Sequence, residues 1–371
     1  MSASLHKSRA HLRKVIVQDE LRIDSHKLMF HVPRLHDWLK GSTIAPIYLE
    51  IAPSGGCNHR CIFCALDYLD YKPAFLDLKV LKQAIKQAAA MGVKSIMYAG
   101  EGEPLLHKDI YEIVRMTKAS GMDVAITTNG VLLRKELSLK MLKSLSWIRI
   151  SLNAGTSSTY AKVHRTKQED FFKVLDHLRD AVQIKKKDKL TVTIGVQLLL
   201  IPENVKGVLN LARLLKKIGV DYLIIKPYSQ HPLSHARLDP VFRYEKQADL
   251  YKKLRKFEDK HFKIIYRDVT MQRLSLPRDY EHCLGLAFWA YITALGDVYA
   301  CSAFLGKKEF CYGNIYKENF RTIMHSQRRK EILKRAAKTL DVTRCRQVCR
   351  LDKINSYLWE LTHPGLHVNF I

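Results

Sequence analysis

The sequence predicts an α/β protein: a partial (β/α)6 parallel barrel with a small C-terminal domain appended. Three observations predict it. Strand-like and helix-like segments alternate six times between residues 45 and 260, the pattern of a parallel sheet with helices outside it. Polar and glycine-rich motifs recur at the C-terminal ends of the strand-like segments, where such sheets bind ligands. The eight cysteines fall into two groups, three at 57–64 and five at 283–349. The expected division is an N-terminal extension (1–45), the barrel (46–270) and the C-terminal domain (271–371).

The extension is basic and weakly patterned, with a short helix expected near "HVPRLHDWLK" (31–40). "APIYLEIAP" (45–53) has the apolar density of a buried strand and runs into the first cysteines. "DLKVLKQAIKQAAAMG" (77–92) has apolar residues at helical spacing and stops at Gly92. "VKSIMYAG", "DVAITTNG", "WIRISLNAG", "TVTIGVQLLLI" and "DYLIIKPYS" supply the next five strands. The segments beginning at 109, 135, 169, 204 and 244 supply the helices that follow them. Six such units make an incomplete barrel or an open doubly wound sheet. After residue 270 the pattern changes. "FWAYITALGDVYACS" (288–302) reads as a hairpin turning at Gly296–Asp297. "EFCYGNIY" reads as a further strand and "FRTIMHSQRRKEILKRAAK" as one basic helix.

The chain has 371 residues and a formal net charge of +26, from 62 basic against 36 acidic residues. That balance suits anionic partners: nucleotides, phosphorylated sugars, nucleic acid or acidic lipid surfaces. It also suits nothing more than a solvated surface. The densest run, "KKKDK" (185–189), is expected as a helix-end loop. The longest apolar stretch, "TIGVQLLLI" (193–201), is too short to span a bilayer. The basic start lacks a signal peptide's apolar segment. The expectation is a cytoplasmic protein with no membrane partner. In that compartment, clustered cysteines read as ligands rather than disulfides.

Cys57, Cys61 and Cys64 are three thiols in eight residues, on a loop opened by Gly55 and Gly56. Soft thiolates select zinc, copper(I) or iron–sulfur clusters. Structural zinc takes four ligands, and the spacing of His59 suits a fourth poorly. Three thiolates on a cubane cluster leave one iron open, a catalytic arrangement.

With that spacing after the first strand of a β/α succession, residues 45–235 resemble the radical S-adenosylmethionine (SAM) superfamily. The resemblance implies a 4Fe–4S cluster on Cys57, Cys61 and Cys64, whose open iron chelates SAM. It implies SAM cleavage to a 5′-deoxyadenosyl radical, with an electron from a reductant such as flavodoxin or ferredoxin. Phe63 matches the aromatic position near the adenine. "AGEGEP" (99–104) resembles the motif that binds the SAM amino group, with Gly100 and Gly102 giving close approach and Glu103, rather than Glu101, meeting the ammonium. Asn129 of "TTNG" and Ser151 and Asn153 of "SLNAG" match positions lining SAM. Arg165 resembles an arginine that reaches its carboxylate.

Cys283, Cys301, Cys345 and Cys349, with "YGNIYKENF" between them, resemble the SPASM extension or its shorter twitch form. The resemblance implies one auxiliary 4Fe–4S cluster with four protein ligands. A zinc ribbon fits the same four thiolates chemically. Cys311 is left over, either a small buried hydrophobe or a catalytic thiol that gives a hydrogen atom to a substrate radical.

"KPYSQHPLSH" (226–235), after the sixth strand, gathers Lys226, Tyr228, His231 and His235 at the open rim. These donors and proton carriers suit a hydroxylated or phosphorylated small molecule, and Lys226, nearest the strand end, doubles as a catalytic candidate. The leading expectation is a radical SAM dehydrogenase or epimerase of a hydroxylated or amino-bearing, sugar-like, anionic small molecule, phosphorylated and nucleotide-linked forms included. Peptide modification is the second reading; residues 1–45 are short for a peptide-recognition domain. RNA modification is the third, prompted by the charge, although no RNA-binding module is visible.

Overall fold

The computed structural model describes residues 21–238 and 242–370. The basic stretch at the very start therefore lies outside the described residues. One ten-stranded sheet organises the molecule. Its strands are β1 (Tyr48–Ile51), β2 (Ser95–Tyr98), β3 (Asp123–Thr128), β4 (Trp147–Ser151), β5 (Thr193–Leu200), β6 (Tyr222–Pro227), β7 (Lys263–Tyr266), β8 (Trp289–Ile292), β9 (Asp297–Tyr299) and β10 (Cys311–Asn314). They lie in the order β10-β9-β8-β1-β2-β3-β4-β5-β6-β7. β1 to β7 pair in parallel, and β8 joins β1 in parallel too. Only β9 and β10 run antiparallel to their neighbours. The expected hairpin is therefore present, but its first strand extends the barrel sheet across the position of the expected boundary. β7 is a seventh strand beyond the six read from the sequence.

The helices form where the sequence places the apolar stripe and the caps. Asp77 opens Leu78–Ala90 by accepting from the N–H groups of Lys79 and Val80. Gly219, at φ +88°, closes Val208–Ile218. Two expectations are corrected. Lys185, Lys186 and Lys187 are the last turn of the helix Glu169–Lys187, not a loop. Their charges suit the negative helix end, and Lys185 reaches Asp221 at 2.6 Å. The basic C-terminal helix is two helices, Phe320–His325 and Gln327–Thr339, because Ser326 turns extended and caps the second by accepting from Arg329 N–H. The helix Ser157–His164 was not expected at all.

Strand alternation gives the sheet two unlike faces. One, with Leu49, Ile96, Val124, Ile148, Val196 and Leu223, is buried under the helices and forms the main core. The other, facing the inside of the barrel, carries Tyr291, Glu50 and Met97 side by side and, further round, Arg149 and Lys226. A smaller core ties Leu28, Leu35 and Ile44 of the N-terminal segment to Phe288 and Leu358 near the C-terminus. Among the described residues no helix is long and apolar enough to cross a membrane.

Candidate active site

The cysteine loop leaves β1 and lies across the C-terminal end of the helix Ser157–His164. Arg60 N–H donates to His164 O and Ile62 N–H to Val163 O. Burial, together with the neighbouring thiols, pushes Cys57 up to about 11 and Cys61 well above its usual value; burial raises Cys64 too. His59 N–H points at Cys57 Sγ (3.4 Å), and His164 Nδ1 lies 3.2 Å from Cys61 Sγ. Three partly buried thiols whose ionisation burial disfavours, one of them with an N–H already aimed at its sulfur, form a donor set that a cationic metal relieves. They fit a cluster. The ligand atoms of His59, Cys61 and His164 also lie within 4.8 Å of one another. His59 is buried, its Nε2 3.9 Å from Asp170, and burial holds it near a pKa of about 4.

The "GEGEP" turn abuts this loop. A Cβ on Gly102 would lie 2.3 Å from both Gly56 O and Ser54 O, and one on Gly100 (φ +116°) would lie 2.1 Å from the Tyr291 hydroxyl. The bare backbone expected for the ligand's approach is thus used by the protein's own loop and by Tyr291. Glu103 is buried and accepts from Leu105 N–H, Thr128 Oγ1 and Asn129 N–H. Burial outweighs these bonds and raises its pKa. Glu101 instead accepts from Ala294 N–H in the β8–β9 turn, and burial raises it to about 7. The two carboxylates therefore tie the turn to opposite neighbours.

The remaining expected SAM residues divide. Asn129 sits at the rim with its amide donating to Asn58 Oδ1 at 2.7 Å, so Asn58, in the cysteine loop, belongs to the site. Asn153 is buried, and its Oδ1 accepts from Leu199 N–H while its amide faces His164. That side chain bridges β4 to β5 through Leu199 N–H. Ser151 ends β4 on the inner face. Phe63 is buried with its ring edge on His164. Arg165 caps the helix at φ +49° and is exposed beside the loop.

At the second cluster, Cys283, Cys301, Cys345 and Cys349 are near enough to raise one another's pKa, with Cys283 at about 12. Their sulfurs too receive N–H groups: Ala303 to Cys301 (3.3 Å), Leu351 to Cys349 (3.4 Å) and the Asn355 amide to Cys283 (3.5 Å). Cys311 stands apart from the four. It opens the edge strand β10 opposite Tyr299, and its neighbours are Asp297 and Arg328.

Basic side chains gather around Lys226 on the inner face of the sheet. Lys226 is surrounded by Arg346, Arg267, Arg149 and Arg350, which with burial hold its ammonium well below its usual range. Arg350 pairs with Glu50 at 2.8 Å and Arg267 with Asp24 at 3.0 Å. Lys226, Arg149 and Arg346 have no carboxylate partner among the described residues: Arg149 lies over the Trp147 ring and Arg346 donates to Ser229 O. The Arg350 side chain is 44% exposed. Tyr228 is half-buried, its hydroxyl bonded to Gln230, and His231 is buried in a stack on Tyr68. The His235 ring is exposed, and Asp67 pins the loop through the His235 and Ala236 N–H groups. Sequence reading missed Arg149, Arg346 and Arg350. The signal for two of them was "CRQVCR", an arginine directly after each of the last two cysteines.

Comparison with known proteins agrees with this geometry. Residues 51–215 match the family model of the radical SAM superfamily, and residues 283–350 match that of an iron–sulfur cluster-binding domain, SPASM. A GTP 3′,8-cyclase of Chlorobaculum tepidum is 37% identical over 134 residues, 35% of this chain and 40% of that relative. A probable GTP 3′,8-cyclase of Saccharolobus solfataricus is 28% identical over 228 residues, 59% of this chain and 70% of the relative. The chain thus spans well under half the length of the first of these and about two thirds of the second. The structure of Streptococcus suis SuiB bound to S-adenosylmethionine aligns with TM-score 0.65 at 16% identity, covering 95% of this chain and 83% of that one. At that identity the likeness is one of fold.

Proposed function

From the premise that this chain is a radical SAM enzyme with a C-terminal SPASM domain, served by a SAM-binding 4Fe–4S cluster and an auxiliary cluster, we propose that it acts on a phosphorylated, nucleotide-class small molecule held in the barrel lumen. The single observation that carries this reading is the gathering of basic side chains there: Lys226, Arg149 and Arg346, each partly buried, have no carboxylate partner among the described residues. Burial and the neighbouring arginines disfavour the Lys226 ammonium, and a polyanion would relieve this. The names of the relatives, cyclases of a nucleoside triphosphate, support the same substrate class.

In this reading Cys57, Cys61 and Cys64 hold the first cluster and Cys283, Cys301, Cys345 and Cys349 the second. Once bound, the first cluster would supply the electron for reductive SAM cleavage, the chemistry that underlies hydrogen-atom abstraction from a substrate. The chain's own residues do the rest. Glu103, Asn129 and Asn58 shape the rim beside the cysteine loop. Lys226, Arg149 and Arg346 hold the phosphates. Glu50 fixes Arg350 by an ion pair while Tyr48 accepts a second bond from it at 3.0 Å. Arg346 and Arg350 follow auxiliary ligands directly in the chain, so the anion would bind against the auxiliary site. Hydrogen abstraction from a sugar carbon is common to oxidation, epimerisation and cyclisation; the relatives' names favour cyclisation over the other two.

Equilibrium dialysis with GTP and guanosine tests the reading on the anaerobically reconstituted enzyme. GTP binding should fall at least tenfold, on the order of 1.4 kcal/mol, in Lys226→Met and in Arg346→Met, with guanosine binding unchanged. Equal GTP binding in all three proteins would sink the assignment of the lumen to an anion.

A further inference from the structure

His164 ends the unexpected helix directly beneath the cysteine loop and is 1% exposed. Its two ring nitrogens face different partners. Asn153 N–H, which can only donate, points at Nε2 at 3.2 Å. The Asn153 amide points at the same nitrogen at 3.4 Å, and its orientation is fixed because Oδ1 accepts from Leu199 N–H at 2.6 Å. Nε2 is therefore an acceptor and carries no proton. A neutral imidazole has one N–H, so it sits on Nδ1, and Nδ1 lies 3.2 Å from Cys61 Sγ. Tyr160 and Phe63 wedge the ring in place, with centroids at 4.4 and 5.6 Å.

We propose that His164 is a positioning residue that donates a hydrogen bond from Nδ1 to the Cys61 sulfur and raises the reduction potential of the SAM-binding cluster. The inference rests on the reading that Cys57, Cys61 and Cys64 hold that cluster. Reduction adds an electron and so negative charge to the cluster and its sulfurs. An N–H aimed at one of them stabilises the reduced form more than the oxidised one. Asn153 is the fixed element behind the donor, since it decides which nitrogen bears the proton.

The test is a potentiometric titration of the full-length reconstituted enzyme followed by electron paramagnetic resonance. The cluster in question is the one whose signal changes when SAM is added. His164→Leu, which has no donor, should shift its reduction equilibrium about tenfold toward the oxidised form, a fall of about 59 mV for one electron. His164→Gln, whose amide can donate, should recover part of the shift. A His164→Leu protein that loads iron normally and titrates with the wild type would overturn the inference. Should neither variant load iron, wild-type protein labelled with ¹⁵N-histidine decides: the reduced cluster should couple to a ring nitrogen bearing an exchangeable proton, and no such coupling refutes the bond. The Cys57/Cys61/Cys64→Ala protein checks the underlying reading separately. If it keeps all its iron, the cluster placement fails, whatever His164 does.

Discussion

Gly102→Ala adds one methyl group between β2 and the cysteine loop. The new Cβ would stand 2.3 Å from Gly56 O and Ser54 O and 2.8 Å from Gly55 C. Carbon atoms pack at about 3.5–4.0 Å, so the two segments must part by about 1 Å. Every atom struck is backbone, and no rotamer change relieves it. The same parting stretches the bond from Glu103 N–H to Gly56 O, now 2.8 Å. Overpacking costs about 1–3 kcal/mol and the lost bond about 1 kcal/mol, giving roughly 2–4 kcal/mol. Gly56 precedes Cys57, so the displacement reaches a ligand. Metal–ligand distances tolerate only about 0.2 Å. The expected outcome is loss of about four irons after anaerobic reconstitution together with a lower melting temperature. Gly121→Ala is the control: it sits at φ +81° with nothing within 4 Å of its Cβ. It should cost about 1–2 kcal/mol of backbone strain and leave iron content alone. Wild-type iron and SAM binding in Gly102→Ala would refute the close-approach argument.

Three further outcomes are expected. Glu101 is raised to about 7 by burial from an ordinary 4.5, so the folded state holds a proton that the unfolded state releases; stability should fall as pH rises between about 4.5 and 7, by on the order of 3 kcal/mol in all. Denaturant titrations at several pH values read this, and Glu101→Gln should flatten the curve; an unchanged slope in the variant assigns it to another group. Lys226 is held below its usual range by burial and four arginines, so binding of an anion should restore its charge, take up a proton and weaken as pH rises. Calorimetry of GTP binding in two buffers of different ionisation heat measures that uptake, which should vanish in Lys226→Met; proton release by the wild type contradicts it. Cys311→Ala should keep all the auxiliary iron, whereas Cys349→Ala should lose about four irons, because Cys311 stands outside the set of four; iron loss in Cys311→Ala would place it among the ligands.

The six strand–helix units, both cysteine groups and the "GEGEP" and "TTNG" rim motifs were legible because each depends on short-range spacing. A period of 2 or 3.6 residues buries one face, and thiols three and four apart share one loop. Weak or broken local signals were lost. "SSTYAKVH" offers little apolar face beyond Tyr160 and Val163, so the helix carrying His164 gave no periodicity to read. β7 is four residues long. The two C-terminal helices merged because the cap at Ser326 lies inside one continuous basic run.

What the sequence by itself determined is the fold class, the two sets of clustered cysteines and the positions of the rim motifs, since composition and local spacing suffice for these. Tertiary structure alone decided which charges meet. Glu50 pairs with Arg350 across 300 residues of chain, and Arg346 comes to lie near Lys226 across 120. Asn153 meets His164 and Leu199, a pairing no spacing along the chain predicts. Such pairings follow from strand order and register, which fix distances in space that no spacing along the chain encodes.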